Sequence, residues 1–138
     1  MGRIAEDDEA LLNRYAETVR ARVRASAVVL FGSRARGDAF RESDYDVAVI
    51  SADFRGLTLR ERWKRIDGAW EAPRAVEEVC LTPEELAGLG SLLVCDIVEE
   101  GIAIRDDGTF AAARTKLEAE KKAGRLRRTR LGWAFPAG

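Results

Sequence analysis

Two aspartates stand two residues apart at the start of an apolar run, in Asp44-Tyr45-Asp46. Residues two apart on a β-strand project from the same face, so both carboxylates are expected side by side at the entrance of the strand. Like charges held that closely raise each other's pKa unless a cation lies between them. Mg²⁺ favours such a site, with one or two carboxylates, water and phosphate oxygens. The alternative is a turn at Ser43 and Asp44, with Asp46 capping backbone or pairing with an arginine.

A Gly-Ser pair, Gly32 and Ser33, ends the preceding apolar run. Glycine permits close approach of the backbone to a ligand, and the first N–H groups of a following short helix would face an anion such as phosphate. Arg34 and Arg36 are candidate donors to phosphate oxygens, the alternative being solvated loop arginines. The other common phosphate loops do not match, because no Lys-Ser/Thr follows and Gly32 and Gly37 do not form G-x-G-x-x-G.

The chain of 138 residues contains no histidine, and each of its two cysteines, Cys80 and Cys95, lies in an apolar run. The missing histidine excludes Ser-His-Asp and Cys-His catalysis and the usual zinc sites. The cysteines are expected to be buried, reduced thiols of a cytoplasmic protein rather than a disulfide. Chemistry must therefore rest on carboxylates, hydroxyls, Lys or Arg, and hard metal ions.

The charge of the chain is close to balanced, with a formal net charge of -1, 34% charged and 46% hydrophobic residues. This composition is typical of an ordinary globular domain and indicates neither a nucleic-acid nor a membrane partner. Between Arg114 and Arg130, however, eight Lys/Arg face two Glu. Such a basic segment is more often a solvated or partner-facing surface than a nucleic-acid arm. No signal peptide and no apolar run of ~20 residues is found.

Alternating strands and helices must position these residues. The patterns predict strands over 27–31, 45–50, 75–81 and in IAIRD, helices over 8–24, in LTLRERWKRIDGAW and in SLLVCDIVEEG, and a basic helical tail. That order predicts an α/β (or α+β) fold, a mixed β-sheet with helices on one face or both. We expect one domain over residues 1–108 and the tail over 109–138.

The second predicted helix carries Leu59, Trp63, Ile66 and Trp70 at helical spacing. The four side chains would share one apolar face. Both tryptophans are therefore predicted to be core residues rather than platforms for a stacked base.

The string FGSRARGDAFRESDYDVAVI resembles the signature of the DNA polymerase β-type nucleotidyltransferase superfamily, with an apolar residue, Gly-Ser, a spacer and Asp-x-Asp in a strand. By size, and by the downstream segments VEEVCLTPEEL and EEGIAI, the chain is similar to the minimal nucleotidyltransferases (MNT/MntA-like antitoxins). The resemblance covers roughly residues 28–106. It implies a polymerase β-like fold and transfer of a nucleoside monophosphate from a nucleoside triphosphate, with release of pyrophosphate.

The resemblance also implies roles for individual residues. By position, it places the triphosphate on Gly32 and Ser33. Arg34 and Arg36, as charge-assisted donors, and Ser43 complete the expected nucleotide-binding set. Asp44 and Asp46 are implied ligands of divalent metal, with two Mg²⁺ ions and ATP as substrate. Two metals about 3.5–4 Å apart clamp the attacking and leaving oxygens of an in-line displacement and need carboxylates from more than one strand.

The third carboxylate, which activates the acceptor hydroxyl and completes the metal site, departs from the usual aspartate. Counting back from the Thr-Pro-Glu-Glu cap places it on Glu77, whereas Glu78 is its neighbour on the opposite face. Strand alternation does not choose between them, and Glu77 is the preferred assignment. The extra methylene of glutamate changes the metal geometry.

The resemblance implies a partner protein. Minimal nucleotidyltransferases resemble the antitoxin half of toxin–antitoxin pairs, whose partner is a HEPN-type ribonuclease modified on tyrosine, so AMP transfer to a protein hydroxyl is the expected reaction. A second hypothesis is a module that neutralises its partner by binding, without turnover. A small antibiotic is a weaker candidate acceptor, because little chain follows Asp106. Neither nucleic acid nor a membrane is an expected partner, and oligomerisation is left open.

Overall fold

The computed structural model of the protein describes residues 4–38, 44–130 and 132–135, so Ser43 lies outside the described residues. The α-helices are α1 (Glu6–Arg22), α2 (Ser33–Arg36), α3 (Leu59–Ile66), α4 (Pro83–Gly88), α5 (Leu92–Glu100) and α6 (Thr109–Lys122). The strands are β1 (Ala25–Phe31), β2 (Tyr45–Ser51), β3 (Val76–Leu81), β4 (Ile102–Asp106), β5 (Arg127–Thr129) and β6 (Gly132–Ala134).

Four strands form one mixed sheet in the order β3-β2-β1-β4. Strand β1 is antiparallel to both β2 and β4, whereas β2 and β3 run parallel. Parallel neighbours need a long crossover connection, and the segment containing α3 supplies it. The predicted mixed sheet with flanking helices is confirmed, and β5 and β6 add a separate antiparallel ribbon.

Helices cover both faces of the sheet, because the two central strands are apolar on both sides. Val29 and Ile50 belong to the buried cluster that contains side chains of α4, α5 and α6. Leu30 and Val49 belong to the cluster that α1 and α3 complete. All four of these side chains are 0% exposed, so they lie at the centres of the two clusters. The continuous apolar runs in the sequence therefore mark strands buried on two faces.

Helix α3 is shorter than the apolar pattern predicts. It begins with a capping box between Thr58 and Glu61 and ends at Ile66, and Gly68 then adopts a left-handed backbone with φ of 83°. The expectation that Trp63 is a core residue is wrong, because Trp63 is 44% exposed and donates from Nε1 to the Glu78 carboxylate. Trp70 lies beyond the helix and packs partly buried against two tyrosine rings.

The helix predicted in the basic segment is α6, and one side of it is buried. Phe110, Ala113 and Leu117 join the cluster on the α5 side of the sheet. On its polar side Lys121 pairs with Glu99 of α5 at 3.0 Å. The basic residues thus surround an apolar stripe that packs on the sheet.

Cys80 and Cys95 are buried and unpaired, as expected from their apolar surroundings. Burial raises the pKa of the Cys80 thiol to about 12 and also raises that of Cys95. A thiol that stays protonated is a poor nucleophile. Across the described ranges, none of the helices combines the length and apolar character needed to cross a membrane.

The burial of α6 predicts the effect of shortening Leu117. Leu117→Ala should lower the free energy of unfolding by about 2–4 kcal/mol, because a 0% exposed leucine leaves a cavity. Urea denaturation followed by circular dichroism measures the change. The neighbouring Glu118→Ala, whose side chain is 60% exposed, should stay within about 0.5 kcal/mol of wild type. Equal stability of the two variants would contradict the placement of α6.

Candidate active site

Strand pairing brings the sequence-predicted motifs together at one end of the sheet. The antiparallel register sets Phe31, the last residue of β1, opposite Asp46. The parallel register sets Asp46 beside Glu77. Asp46 therefore lies between the Gly-Ser turn on one side and the third predicted carboxylate on the other.

Gly32 is required at its position by space as well as by backbone conformation. Its φ of 73° lies in the left-handed region, which residues with a Cβ rarely adopt. A Cβ built on Gly32 would stand 2.2 Å from Oδ2 of Asp46. The backbone of the turn thus passes directly over the Asp46 carboxylate.

The Asp46 carboxyl group holds its proton more tightly than an ordinary aspartate. Burial is the largest cause, followed by a hydrogen bond to Glu77 and by repulsion from the Glu77 and Asp44 carboxylates, and together they raise the pKa of Asp46 to about 6. The Arg36 guanidinium acts in the opposite direction. Glu77, Asp44 and Arg36 are therefore close enough to Asp46 to influence its charge.

Glu78 lies on the other face of β3 and belongs to a different network. Its Oε2 accepts a hydrogen bond of 2.6 Å from the Tyr15 hydroxyl, and its Oε1 accepts one of 3.2 Å from Trp63. Burial and the Glu78 carboxylate raise the pKa of the Tyr15 hydroxyl. Of the two candidates that the sequence left open, the structure brings Glu77 to the aspartates and turns Glu78 away.

The Gly-Ser turn leads directly into α2, with Gly32 as its N-cap. The Gly32 carbonyl accepts hydrogen bonds from the backbone N–H groups of Ala35 and Arg36. The N–H groups of Ser33 and Arg34 precede these in the first turn, where a helix offers no internal acceptor. Ser33 therefore occupies the position that the sequence predicts for a phosphate contact.

Arg36 and Glu100 extend the site toward α5. Arg36 donates from Nη1 to both Glu100 oxygens, at 3.0 and 3.2 Å, and from Nε to Asp38 at 3.1 Å. Glu100 also accepts a hydrogen bond of 3.2 Å from the Gly32 N–H. Sequence reasoning missed Glu100, although a charged residue ending an apolar helix directly before Gly101 is a usable signal.

Arg34 points to the opposite side of the sheet from Asp46. Its guanidinium lies 3.9 Å over the Tyr45 ring and pairs with Asp8 of α1 at 3.2 Å, with only 10% of the arginine side chain exposed. The Tyr45 hydroxyl donates to the same aspartate at 2.5 Å. The described contacts of Arg34 thus tie α2 to α1, and the structure does not bring this guanidinium to the carboxylates.

The donor set suits a hard cation. Asp44, Asp46 and Glu77 offer carboxylate oxygens, which Mg²⁺ prefers, and the chain has no histidine to favour softer metals. Within 4–38, 44–130 and 132–135, no three acidic or cysteine side chains are already grouped around a common point. Asp46 and Glu77 lie side by side on neighbouring strands, and Glu77 contributes to the raised pKa of Asp46. Asp44 and Glu77 are exposed side chains that can rotate, so the carboxylates fit the metal, and a bound cation would offset their mutual repulsion.

The profile of the nucleotidyltransferase domain matches residues 12–104, about two thirds of the chain. The chain belongs to this nucleotidyltransferase family. The match spans the Gly-Ser turn, both aspartates, Glu77 and Glu100. A search of the curated proteins finds no match.

Solved nucleotidyltransferases share the fold. A protein from Sulfolobus solfataricus assigned as a nucleotidyltransferase superposes with a TM-score of 0.56 at 21% identity, covering 72% of this chain and 80% of its own. A toxin–antitoxin structure with AMP-PNP gives 0.58 at 22% identity, and the MntA-HpeT toxin–antitoxin mutant D39ED41E gives 0.56 at 19%. Both toxin–antitoxin matches cover 82% of this chain and 88% of theirs. The polymerase β-like fold predicted from the sequence is confirmed.

The raised pKa of Asp46 predicts how pH changes stability. A carboxyl whose pKa is higher in the folded than in the unfolded chain contributes stability that is present below the unfolded value and is lost as pH rises through the folded value. Wild-type stability should therefore fall between about pH 4 and pH 6 through this group. Asp46→Asn keeps the shape and removes the charge, so it should be more stable than wild type at pH 8 and not at pH 4. Discounted for solvent screening, the gain is on the order of 1 kcal/mol.

Urea denaturation in EDTA at both pH values measures this difference. Added Mg²⁺ should stabilise wild type at pH 8 and should have a smaller effect on Asp46→Asn, because a ligand that binds only the folded state stabilises it. A gain that is the same at pH 4 and pH 8 would show that charge at Asp46 is not its cause.

Proposed function

We propose that this chain transfers a nucleoside monophosphate, AMP from ATP, to a hydroxyl group on a partner protein. The observation that carries the proposal is the meeting of Asp46 and Glu77 beneath Gly32, where a Cβ would clash with Asp46. This arrangement joins carboxylates from two parallel strands to a turn whose backbone approaches closely. Membership of the nucleotidyltransferase family supports the class of reaction.

The proposed reaction is an in-line displacement at the α-phosphorus. The acceptor oxygen forms a bond to this phosphorus, the bond between the phosphorus and the bridging oxygen breaks, and pyrophosphate leaves with the electron pair. Glu77 takes the hydroxyl proton, since a positioned carboxylate is the base available in a chain without histidine. Two Mg²⁺ ions, held by Asp44, Asp46 and Glu77, would neutralise the charge that develops on the attacking and leaving oxygens.

The triphosphate is assigned to the Gly-Ser side of the site. Gly32 lets the backbone approach closely, Ser33 offers its backbone N–H at the start of α2, and Arg36 offers a guanidinium nearby. Arg34 is assigned instead to holding α2 against α1, because its guanidinium is paired with Asp8 and stacked on Tyr45. Ser43 stays a prediction from the sequence.

The toxin–antitoxin structures that share this fold support a partner protein as the acceptor. The structures with the higher TM-scores include toxin–antitoxin complexes, one of them with AMP-PNP. We therefore propose that this chain is the antitoxin of such a pair, acting in the cytoplasm on a tyrosine of a HEPN-type toxin.

A second candidate function is neutralisation of the partner by binding alone. Two observations favour it: the third carboxylate is a glutamate, and among the described residues no three acidic side chains are grouped around a common point. A chain of this kind would bind the partner equally well with Asp46 intact or substituted.

Label transfer distinguishes the two functions. The purified chain is incubated with Mg²⁺, a HEPN-type candidate partner and ATP labelled at the α-phosphorus. We expect label on the partner, and none from ATP labelled at the γ-phosphorus, because pyrophosphate leaves. Asp46→Asn should lower the rate by about 100-fold or more. If neither wild type nor Asp46→Asn transfers label, while both form a stable complex with the partner, the chain acts by binding alone.

Glu77→Gln and Glu78→Gln form a matched pair for the third carboxylate. Glu77→Gln should lower transfer by about 10²–10⁴-fold, since an amide neither accepts the proton nor binds Mg²⁺ well. Glu78→Gln keeps a carbonyl acceptor for Tyr15 or Trp63 and should stay within about threefold of wild type. Equal losses in both variants would refute the assignment of Glu77.

A further inference from the structure

Glu100 is a nearly buried carboxylate to which the proposed reaction gives no role. Its side chain is 15% exposed at the end of α5. It accepts a hydrogen bond from the backbone N–H of Gly32 at 3.2 Å and two from Nη1 of Arg36 at 3.0 and 3.2 Å. A charge withdrawn from water is costly unless it is paired and hydrogen-bonded. Both of its partners belong to the turn that is assigned to the triphosphate.

The fold holds Glu100 in this place against an unfavourable dipole. A negative charge at the C-terminal end of a helix is destabilising. Arg114 of α6 offsets it by donating to the carbonyls of Val98 at 3.0 Å and Gly101 at 2.6 Å. At Gly101 a Cβ would stand 2.5 Å from Val29 of β1, so the end of α5 packs directly on the sheet. Backbone packing therefore fixes the point from which Glu100 reaches Gly32.

We propose that Glu100 is a positioning residue for nucleotide binding: by holding Gly32 and the Arg36 guanidinium it fixes the Gly-Ser turn in the place where it receives the triphosphate. The inference rests on the proposed function. Glu100 is negatively charged and does not itself contact phosphate, so it acts through its two partners. The Glu100 carboxylate orients the Arg36 side chain before the nucleotide binds. Without Glu100, several rotatable bonds of Arg36 would have to be ordered on nucleotide binding.

Removing Glu100 would also redirect Arg36. The guanidinium retains Asp38 as a partner and lies near enough to Asp46 to act on its charge. A guanidinium drawn onto Asp46 would occupy a carboxylate that is assigned to Mg²⁺. Loss of Glu100 and loss of Arg36 should therefore damage the same function, and their effects should combine to less than the product of the two single losses.

Binding of α,β-methylene ATP tests the proposal, because the reaction cannot break its α–β bridge. Titration calorimetry with Mg²⁺ should show affinity lowered about tenfold in Glu100→Ala and in Arg36→Ala. The double variant should match either single variant within about threefold. Glu100→Gln, which keeps an acceptor for the Gly32 N–H, should fall between wild type and Glu100→Ala. Glu99→Ala is the control, since it removes a neighbouring ion pair, with Lys121, that does not touch the turn.

Amide hydrogen exchange measures how firmly Glu100 holds the Gly-Ser turn and α2. Exchange over residues 32–37 should be faster in Glu100→Ala and unchanged in Glu99→Ala. A folded Glu100→Ala protein that binds the analogue as tightly as wild type, or more tightly, would overturn the inference. So would a double variant whose loss is the product of the two single losses. If wild type itself neither binds the analogue nor transfers label, the proposed function fails and the inference falls with it.

Discussion

The contact between the backbone of Gly32 and the carboxylate of Asp46 is the constraint on which the site depends. It exists because β1 and β2 pair with Phe31 opposite Asp46, and because the turn leaves β1 with a positive φ. A shift of the register by one residue would turn Asp46 to the other face, among the side chains that pack on α1. The buried runs on both faces of β1 and β2 hold the register in place.

The sequence was most informative where local pattern and chemistry agreed. Strands β1 and β2 are short apolar runs that end or begin at polar motifs, and their boundaries agree with the structure to within two residues. The capping box at Thr82 and Glu85 likewise marks the start of α4. These features depend on neighbours in the chain, which a single sequence displays directly.

Long-range pairing supplied what the sequence could not. The alternation of side chains along β3 does not show whether Glu77 or Glu78 is the third carboxylate. The parallel register with β2 distinguishes them, because it sets Glu77 beside Asp46. Glu100 and Arg34 are also identified by partners far along the chain, Gly32 and Asp8. For α3 the helical spacing extended past Ile66, but the helix ends there, before a left-handed Gly68. Trp63 lies within the helix and is nevertheless on the surface. Residues 109–122 show a basic composition that hides the apolar stripe of Phe110 and Leu117.

The mixed topology of the sheet has a consequence for the order in which the parts of the site form during folding. Strands β1 and β2 form an antiparallel pair across a connection of moderate length, whereas β3 must cross over the whole α3 segment before it lies beside β2. Closing a longer loop costs more entropy and is slower. The turn and its two aspartates can thus be assembled when β1 pairs with β2, while β3 and β4 still have to join the sheet. Glu77, and the electrostatic repulsion that it brings to Asp46, joins the site only when β3 pairs with β2.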